Sequence, residues 1–182
     1  MKSPPHADLE SRLARVRLLL LDVDGVLTDG SITYTSDGGE AKTFHVRDGV
    51  GLRLWREAGN MAAIITGRSS AAVERRAAEL GIAVVRQGVG EKGAVAEEVL
   101  RVCGVGWEET AAIGDDVPDI PLAARALVGF AVADACAELR DAAAIVTASP
   151  GGRGAVREVV ERLLRARGGW EPALEKYRGG IA

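Results

Sequence analysis

Residues 18–30 read LLLLDVDGVLTDG, and this stretch decides the fold class of the chain. Four leucines followed by Asp-x-Asp-Gly are typical of a buried strand that ends at the carboxyl edge of a parallel sheet, where open α/β folds bind ligands. Because side chains alternate along a strand, Asp22 and Asp24 point to the same side and can share one cation or one substrate. Taken alone, the stretch could also be a strand that runs into an Asp-Gly turn with solvated carboxylates.

Size and composition limit the possible functions. The chain has 182 residues, enough for one domain with a buried core but too few for two full domains. A net charge of -3 and an aromatic content of 4% argue against a nucleic-acid surface. No apolar run is long enough to cross a membrane, and residues 1–10 lack the apolar centre of a signal peptide. Cys103 and Cys136 are too far apart for a disulfide framework or a metal motif, so we expect a cytoplasmic protein without nucleic-acid or membrane partners.

Strand and helix patterns alternate along the chain. Apolar runs predict strands, and helical periodicity predicts helices between them. The predicted strands are 18–21, 61–66, 82–86, 110–113, 127–132 and 144–147, and the predicted helices are 8–16, 49–59, 69–80, 92–100, 120–126, 135–141 and 154–167. This alternation predicts an α/β fold with a single doubly wound, Rossmann-like parallel sheet. We expect an N-terminal lead-in over residues 1–17, the domain over 18–167 and a C-terminal tail over 168–182.

Two segments lie outside this alternation. Residues 31–34 and 42–46 are short, partly alternating runs around a Ser-Asp-Gly-Gly turn, which predicts a β-hairpin over residues 31–46, inserted after the first strand. The tail carries Trp170 and Tyr177 but no pattern that places it, and a partner subunit is a candidate docking surface for it.

Polar side chains follow four of the predicted strands. A parallel sheet brings these strand ends to one edge. Several carboxylates in one crevice repel each other, so the cluster needs a bound cation; oxygen ligands favour Mg²⁺, which keeps positions for water and phosphate. The residues concerned are Asp22, Asp24, Thr66, Lys92, Asp115, Asp116 and Asp119.

Such a cluster can carry out phosphate chemistry. A carboxylate can attack a phosphorus atom whose oxygens are neutralised by Mg²⁺, a lysine and hydroxyl donors, which gives an aspartyl-phosphate. A second aspartate near the leaving oxygen can donate a proton and later accept one from water. The alternative, solvated loop charges, requires the same arrangement to arise by chance at four separate strand ends.

The segments DVDGVLTDG, IITGR, Lys92 and GDDVPD resemble, in order and spacing, the four motifs of the haloacid dehalogenase-like phosphohydrolases. FHVRDGVGLR, IITGRSS and GGRGAVRE resemble more closely the members that act on 3-deoxy-D-manno-octulosonate 8-phosphate (KDO 8-P) and their sialic-acid-pathway relatives, so that the resemblance spans about residues 18–164. It implies that Asp22 is the nucleophile and a metal ligand. It further implies that Asp24 is the general acid–base and a metal ligand through its backbone carbonyl, that Thr66 and Lys92 hold the phosphoryl oxygens, and that Asp115 is the third metal ligand.

The resemblance also implies how the pocket is completed. The family has a hairpin in place of a large cap domain, and four subunits assemble through these hairpins into a homotetramer whose neighbouring chains help to enclose each pocket. Asp116 or Asp119 would orient Lys92 or a metal-bound water. The carboxylate and hydroxyl groups of a phosphosugar acid are then expected to contact His45, Arg47, Asp48, Gly49, Arg53, Arg68 and Arg76. At the position of His45 the family is expected to have asparagine.

Arg68 bears on the choice of substrate. Relatives that act on nine-carbon sialic-type phosphates tend to carry glutamate at this position, so arginine favours KDO 8-P, the eight-carbon acid phosphate of lipopolysaccharide synthesis. The expected function is therefore a Mg²⁺-dependent KDO 8-P phosphatase. The alternatives are a phosphatase of a sialic-type 9-phosphate (KDN or N-acylneuraminate), a non-catalytic phospho-Asp signalling receiver and an inactive scaffold. In receivers the phosphorylated aspartate follows the third strand, and an inactive scaffold is expected to lack Asp22 or Asp24, which this chain retains.

Overall fold

A six-stranded parallel sheet forms the centre of the computed structural model, which describes residues 6–179. The strands in chain order are β1 (Leu18–Leu21), β2 (Thr33–Tyr34), β3 (Glu40–Ala41), β4 (Met61–Ile65), β5 (Val84–Arg86), β6 (Thr110–Gly114), β7 (Val128–Ala131) and β8 (Ile145–Val146). The helices are α1 (His6–Arg15), α2 (Val46–Glu57), α3 (Ala71–Leu80), α4 (Lys92–Cys103), α5 (Ile120–Arg125), α6 (Ala137–Ala142), α7 (Ala155–Ala166) and α8 (Trp170–Arg178). The sheet order is β5-β4-β1-β6-β7-β8, and β2 and β3 form a separate antiparallel hairpin.

The four leucines of β1 explain why this strand lies inside the sheet. β1 pairs in parallel with β4 on one side and with β6 on the other, so its two edges are both occupied. Leu19 and Leu21 belong to the core on one face, and Leu18 and Leu20 to the core on the opposite face; all four are fully buried. Each buried leucine contributes about 1.5–3 kcal/mol. A strand covered on both faces therefore needs an unbroken apolar run.

Helices cover the two faces of the sheet as the alternation predicts. α2 and α7 pack against each other over the face that contains Leu19, and α4 covers the opposite face. The apolar stripe of α7 is buried along its whole length, which confirms the predicted helix. At the crossing with α2, a Cβ on Gly51 would lie only 3.1 Å from the Arg157 Cα, so the glycine allows the close approach of the two helices.

The predicted hairpin is present, but its second strand was placed too late. β3 covers Glu40–Ala41 rather than residues 42–46, and Val46 already begins α2. The turn closes early because the amide of Gly38, whose φ is +84°, donates to the Thr35 carbonyl at 3.0 Å. α2 likewise starts three residues before its predicted start at Gly49, because packing against α7 outweighs the low helix propensity of the two glycines in its first turns.

The tail forms α8, which the sequence did not predict. Trp170 is 5% exposed and joins the core, with the guanidinium carbons of Arg157 and Arg165 each 5.0 Å from the centre of its ring. Trp170 therefore packs on α7 of its own chain, while Tyr177 is half exposed; the docking of the tail on a partner subunit stays a prediction. Residues 1–5 of the lead-in and 180–182 of the tail lie outside the described residues. Within the described part of the chain, no helix has the length and apolar character needed to cross a membrane.

Candidate active site

The loop after β1 positions the first two aspartates. The amides of Val26, Leu27 and Thr28 all donate to the carbonyl of Val23, which folds the loop into a tight turn directly behind the strand. Gly25 has a φ of +83°, and a Cβ at this position would lie 2.1 Å from the Asp115 Oδ2. Glycine is therefore needed both for the backbone conformation and for the approach of the carboxylate that follows β6.

Lys92 joins the nucleophile candidate to the acidic loop after β6. It begins α4, is 5% exposed, and its Nζ lies 2.8 Å from the Asp22 Oδ1 and 2.7 Å from the Asp119 Oδ1. The second oxygen of Asp119 accepts a hydrogen bond from the Asp115 backbone amide at 3.2 Å. Of the two residues predicted to orient Lys92, Asp119 makes the contact. Asp116 is exposed, and its carboxylate accepts from the Val117 amide instead.

The charges of this cluster are not balanced by the protein. Burial, followed by the charge of Asp119, raises the pKa of Asp22 even though Lys92 opposes the shift. Burial and the neighbouring carboxylates of Asp22, Asp119 and Asp116, in that order, raise the pKa of Asp115 from 3.8 to about 7. Carboxylates that resist ionisation in this way are relieved by a bound cation.

A divalent cation fits the donor set. Asp22, Asp115 and Asp119 each offer a carboxylate oxygen, and these oxygens lie within 4.8 Å of one another. All three ligands are hard oxygen donors, which suit Mg²⁺. Both oxygens of Asp119 are engaged, one by Lys92 and the other by the Asp115 amide, so we take Asp22 and Asp115 as the side chains that would bind the cation directly and Asp119 as the residue that orients Lys92.

One cleft of about 270 Å³ at the carboxyl edge of the sheet brings the predicted catalytic residues together. Its lining includes Asp22, Asp24, Thr66, Arg68, Lys92, Asp115, Asp116 and Asp119. Thr66 and Arg68 come from the end of β4, and Thr66 is 2% exposed. The sheet topology therefore collects the ends of β1, β4 and β6 and the start of α4 around one space.

Two hairpin residues that the sequence reasoning missed, Glu40 and Lys42, contact side chains that line this cleft. The buried Lys42 donates a hydrogen bond from its Nζ to the Asp24 Oδ1, and the same nitrogen lies 2.7 Å from the Glu40 Oε1. Arg68 donates to the other Glu40 oxygen at 2.8 Å, and its Nε lies 3.9 Å from the Asp24 Oδ2. The sequence feature that could have identified these two residues is their spacing of two positions, which places Glu40 and Lys42 on the same face of the hairpin.

The remaining predicted substrate contacts lie outside this cleft within the single chain. Asp48 is 1% exposed and points into the protein, where its carboxylate accepts from the backbone amides of Gly154 at 3.3 Å and Arg157 at 2.8 Å. It thus caps the start of α7. The His45 Nδ1 is 3.9 Å from the Asp48 Oδ2, too far for a hydrogen bond.

The predicted arginines line two further clefts. Arg53 and Arg76 both line a space between α2 and α3, next to Gly49, where a Cβ would lie 2.3 Å from the Arg76 Nη2. Arg47 lies in another cleft, beside the start of α7. One chain therefore does not bring these arginines to the aspartates, and their role in binding substrate stays a prediction.

Comparisons with known proteins agree with this geometry. The family profile of the haloacid dehalogenase-like hydrolases matches residues 40–126. The 3-deoxy-D-manno-octulosonate 8-phosphate phosphatase KdsC of Escherichia coli K12 is 44% identical over 165 residues, which cover 91% of this chain and 88% of that protein. KdsC of Haemophilus influenzae is 39% identical over 160 residues, which cover 88% and 89%. The chain belongs to the haloacid dehalogenase-like phosphatases.

A solved structure shares the fold of this phosphatase over almost its whole length. It is the 3-deoxy-D-manno-octulosonate 8-phosphate phosphatase of Moraxella catarrhalis, in complex with magnesium ion, phosphate ion and a KDO molecule. It matches with a TM-score of 0.92 and 38% identity, covering 95% of this chain and 99% of that one. The predicted fold class and the resemblance to phosphatases of this kind are confirmed. The receiver and inactive-scaffold alternatives are not supported.

Proposed function

We propose that this phosphatase hydrolyses KDO 8-P to KDO and inorganic phosphate, with Mg²⁺ as cofactor and an aspartyl-phosphate on Asp22 as intermediate. The observation that carries the proposal is the contact of Lys92 with Asp22 at 2.8 Å, beside the acidic cluster at the end of β6. The curated relatives with this activity, and the magnesium, phosphate and KDO of the Moraxella catarrhalis complex, support it.

Asp22 and Asp115 would hold the Mg²⁺, together with the backbone carbonyl of Asp24. When bound, Mg²⁺ neutralises phosphoryl oxygens and makes the phosphorus more electrophilic. The buried ammonium of Lys92 adds a fixed positive charge on the same side, and Thr66 offers a hydroxyl to a phosphoryl oxygen. Asp119 helps to hold Lys92 in this position, because the Asp119 Oδ1 lies 2.7 Å from the Lys92 Nζ.

The first half-reaction transfers the phosphoryl group to the protein. A carboxylate oxygen of Asp22 forms a bond to phosphorus, and the bond between phosphorus and the sugar oxygen breaks. The electron pair of the broken bond stays on the sugar oxygen, which takes the proton of the Asp24 carboxyl and leaves as an alcohol.

The second half-reaction returns the protein to its starting state. The Asp24 carboxylate, now without its proton, accepts one from a water molecule whose oxygen attacks the phosphorus. The bond between phosphorus and Asp22 breaks, inorganic phosphate leaves, and the Asp22 carboxylate and the Asp24 carboxyl are restored.

Arg68 is the group that we assign to the carboxylate of the sugar acid. Its guanidinium lies at the rim of the cleft and is 40% exposed, and its Nη2 already binds a carboxylate, that of Glu40, at 2.8 Å. A planar guanidinium suits a second carboxylate from the substrate in the same manner. A carboxylate is common to both candidate substrates, so the preference for the eight-carbon acid rests on the residue type at position 68, where relatives that act on nine-carbon phosphates tend to carry glutamate.

We also propose that the chain forms a homotetramer through its hairpins. Ile32, Tyr34 and Val46 on and beside the hairpin are 48%, 72% and 77% exposed. Large apolar side chains grouped in this way commonly mark a contact between proteins. Association would bring Arg53 and Arg76 of one chain towards the cleft of a neighbour and shield the reaction from water.

Phosphate release from a panel of eight- and nine-carbon sugar-acid phosphates, with Mg²⁺ or with EDTA, tests the function. We expect the highest kcat/KM for KDO 8-P, loss of turnover in EDTA, and loss of turnover in Asp22→Asn. A preference for a nine-carbon phosphate would select the sialic-type alternative. Full turnover by Asp22→Asn would contradict the aspartyl-phosphate.

Size-exclusion chromatography tests the assembly. A variant in which residues 31–44 are replaced by a short turn should elute as a monomer, while the wild type elutes as a tetramer. The same elution volume for both would contradict a hairpin interface.

A further inference from the structure

Lys42 occupies an unusual position for a hairpin lysine. Its side chain is 1% exposed, and its Nζ lies between the carboxylates of Asp24 and Glu40. Burial alone would lower the pKa of this ammonium, but the hydrogen bonds to the two carboxylates outweigh burial and raise it. Lys42 is therefore a buried, charged residue with both of its partners in place, a contact that is strong and directional.

The contact fixes a group that has few other restraints. The Asp24 side chain is 21% exposed, more than that of Asp22, and its second oxygen is 3.9 Å from the Arg68 Nε, beyond hydrogen-bond distance. Lys42 is itself held from behind by Glu40, which also binds Arg68. The hairpin thus sets the rotation of the Asp24 carboxyl group relative to the cleft.

We propose that Lys42 is a positioning residue for the acid–base step, which aims the Asp24 carboxyl group at the oxygen of the leaving sugar. The inference rests on the proposed function, in which that oxygen takes a proton from Asp24 as its bond to phosphorus breaks. Lys42 keeps all its protons throughout and acts only through the orientation of Asp24. The hairpin therefore contributes to the chemistry of its own chain.

Two substrates with different leaving groups separate this role from a structural one. An alkyl phosphate such as KDO 8-P needs a proton on its leaving oxygen, whereas p-nitrophenyl phosphate loses a stable phenolate without one. In Lys42→Met we expect kcat/KM to fall by about 10²-fold for KDO 8-P, since misplacing an acid group costs that much, and by less than about 3-fold for p-nitrophenyl phosphate. kcat/KM reports the first irreversible step, so the hydrolysis of the aspartyl-phosphate does not obscure the difference.

The controls use the same hairpin. Lys42→Arg keeps the charge and should recover most of the loss on KDO 8-P. Asp37→Asn removes a charge from the exposed hairpin turn and should leave kcat/KM unchanged for both substrates. If Lys42→Met does not fold, as judged by thermal unfolding, Lys42→Leu replaces it, since leucine also lacks a hydrogen-bond donor and fills much of the same space.

An equal loss on both substrates, or no loss on either, would overturn the positioning role. Failure of the proposed function has a different signature, because the wild type itself would then not hydrolyse KDO 8-P. In that event the alkyl phosphate of the panel that the wild type hydrolyses best takes its place beside p-nitrophenyl phosphate. The ratio of the two losses remains the deciding measurement.

Discussion

Asp115 is a partly buried carboxylate that lies among other carboxylates, and replacing it with asparagine should stabilise the protein when no metal is bound. Its pKa is raised from 3.8 to about 7, first by burial and then by neighbouring carboxylates. A change of this size corresponds to about 4 kcal/mol for the ionised side chain. Since the side chain is only partly buried, solvent screening reduces this to about 2 kcal/mol.

The pH dependence follows from the order in which the two states lose the proton. The unfolded chain ionises Asp115 near pH 3.8, whereas the metal-free folded protein does so near pH 7. Between these pH values the unfolded state gains stability relative to the folded one. The destabilisation of the folded protein by Asp115 therefore grows from about pH 4 to pH 7 and is constant above pH 7. Asparagine removes this destabilisation. We expect the free energy of unfolding of Asp115→Asn to exceed that of the wild type by about 2 kcal/mol at pH 8 and by less than half of that at pH 5.

Urea unfolding in EDTA at these two pH values measures the effect. Asp141→Asn is the matched control, because Asp141 is exposed and is not among the carboxylates that raise the pKa of Asp115; its free energy of unfolding should not change. Adding Mg²⁺ should reverse the order, since the wild type then gains binding energy that the variant lacks. A variant that is less stable than the wild type at pH 8 in EDTA, or a gain that is the same at both pH values, would refute the reasoning.

Three further substitutions test individual contacts. Asp48→Ala removes two hydrogen bonds to the start of α7, so it should lower the free energy of unfolding by about 2 kcal/mol in a urea titration. It should leave KM unchanged. A higher KM with no loss of stability would instead favour the predicted substrate contact. Gly25→Ala should lower kcat/KM by more than about 10²-fold, because the added Cβ displaces the Asp115 carboxylate, whereas Gly38→Ala, with the same φ but open space around it, should keep full activity. Trp170→Ala should lower the free energy of unfolding by about 3 kcal/mol, as measured by calorimetry. A negligible loss of stability would mean that α8 does not pack on α7.

The sequence predicted the elements whose signal is long or repeated. β1 was identified because four leucines followed by Asp-x-Asp-Gly are typical of a strand buried on both faces, and α7 because its apolar residues recur with helical spacing over the whole helix. The catalytic cleft followed from the same strands, since the ends of neighbouring parallel strands must meet. Local pattern and tertiary packing favour the same structure at these places.

The errors occurred where short segments take their structure from distant contacts. The pair Glu40 and Lys42 has the same sequence pattern whether it faces water or a buried carboxylate, so only the folded structure shows that Lys42 reaches Asp24. α8 is short and follows two glycines, and it exists because Trp170 finds an apolar site on α7. The arginines of α2 and α3 were predicted from resemblance to a family, and the fold of the single chain places them in a separate cleft.

The cap on α7 has a consequence for the order of folding. Gly154 at the N-cap position offers no side chain, so the first amides of the helix depend on Asp48, which precedes Arg157 by 109 residues. Without that carboxylate the first turn of α7 is expected to fray. A ribosome releases the α2 segment long before α7, so the cap is already available when the helix emerges. In a circular permutant that begins at α7, the helix would leave the ribosome before Asp48 and would lack its cap until the α2 segment follows.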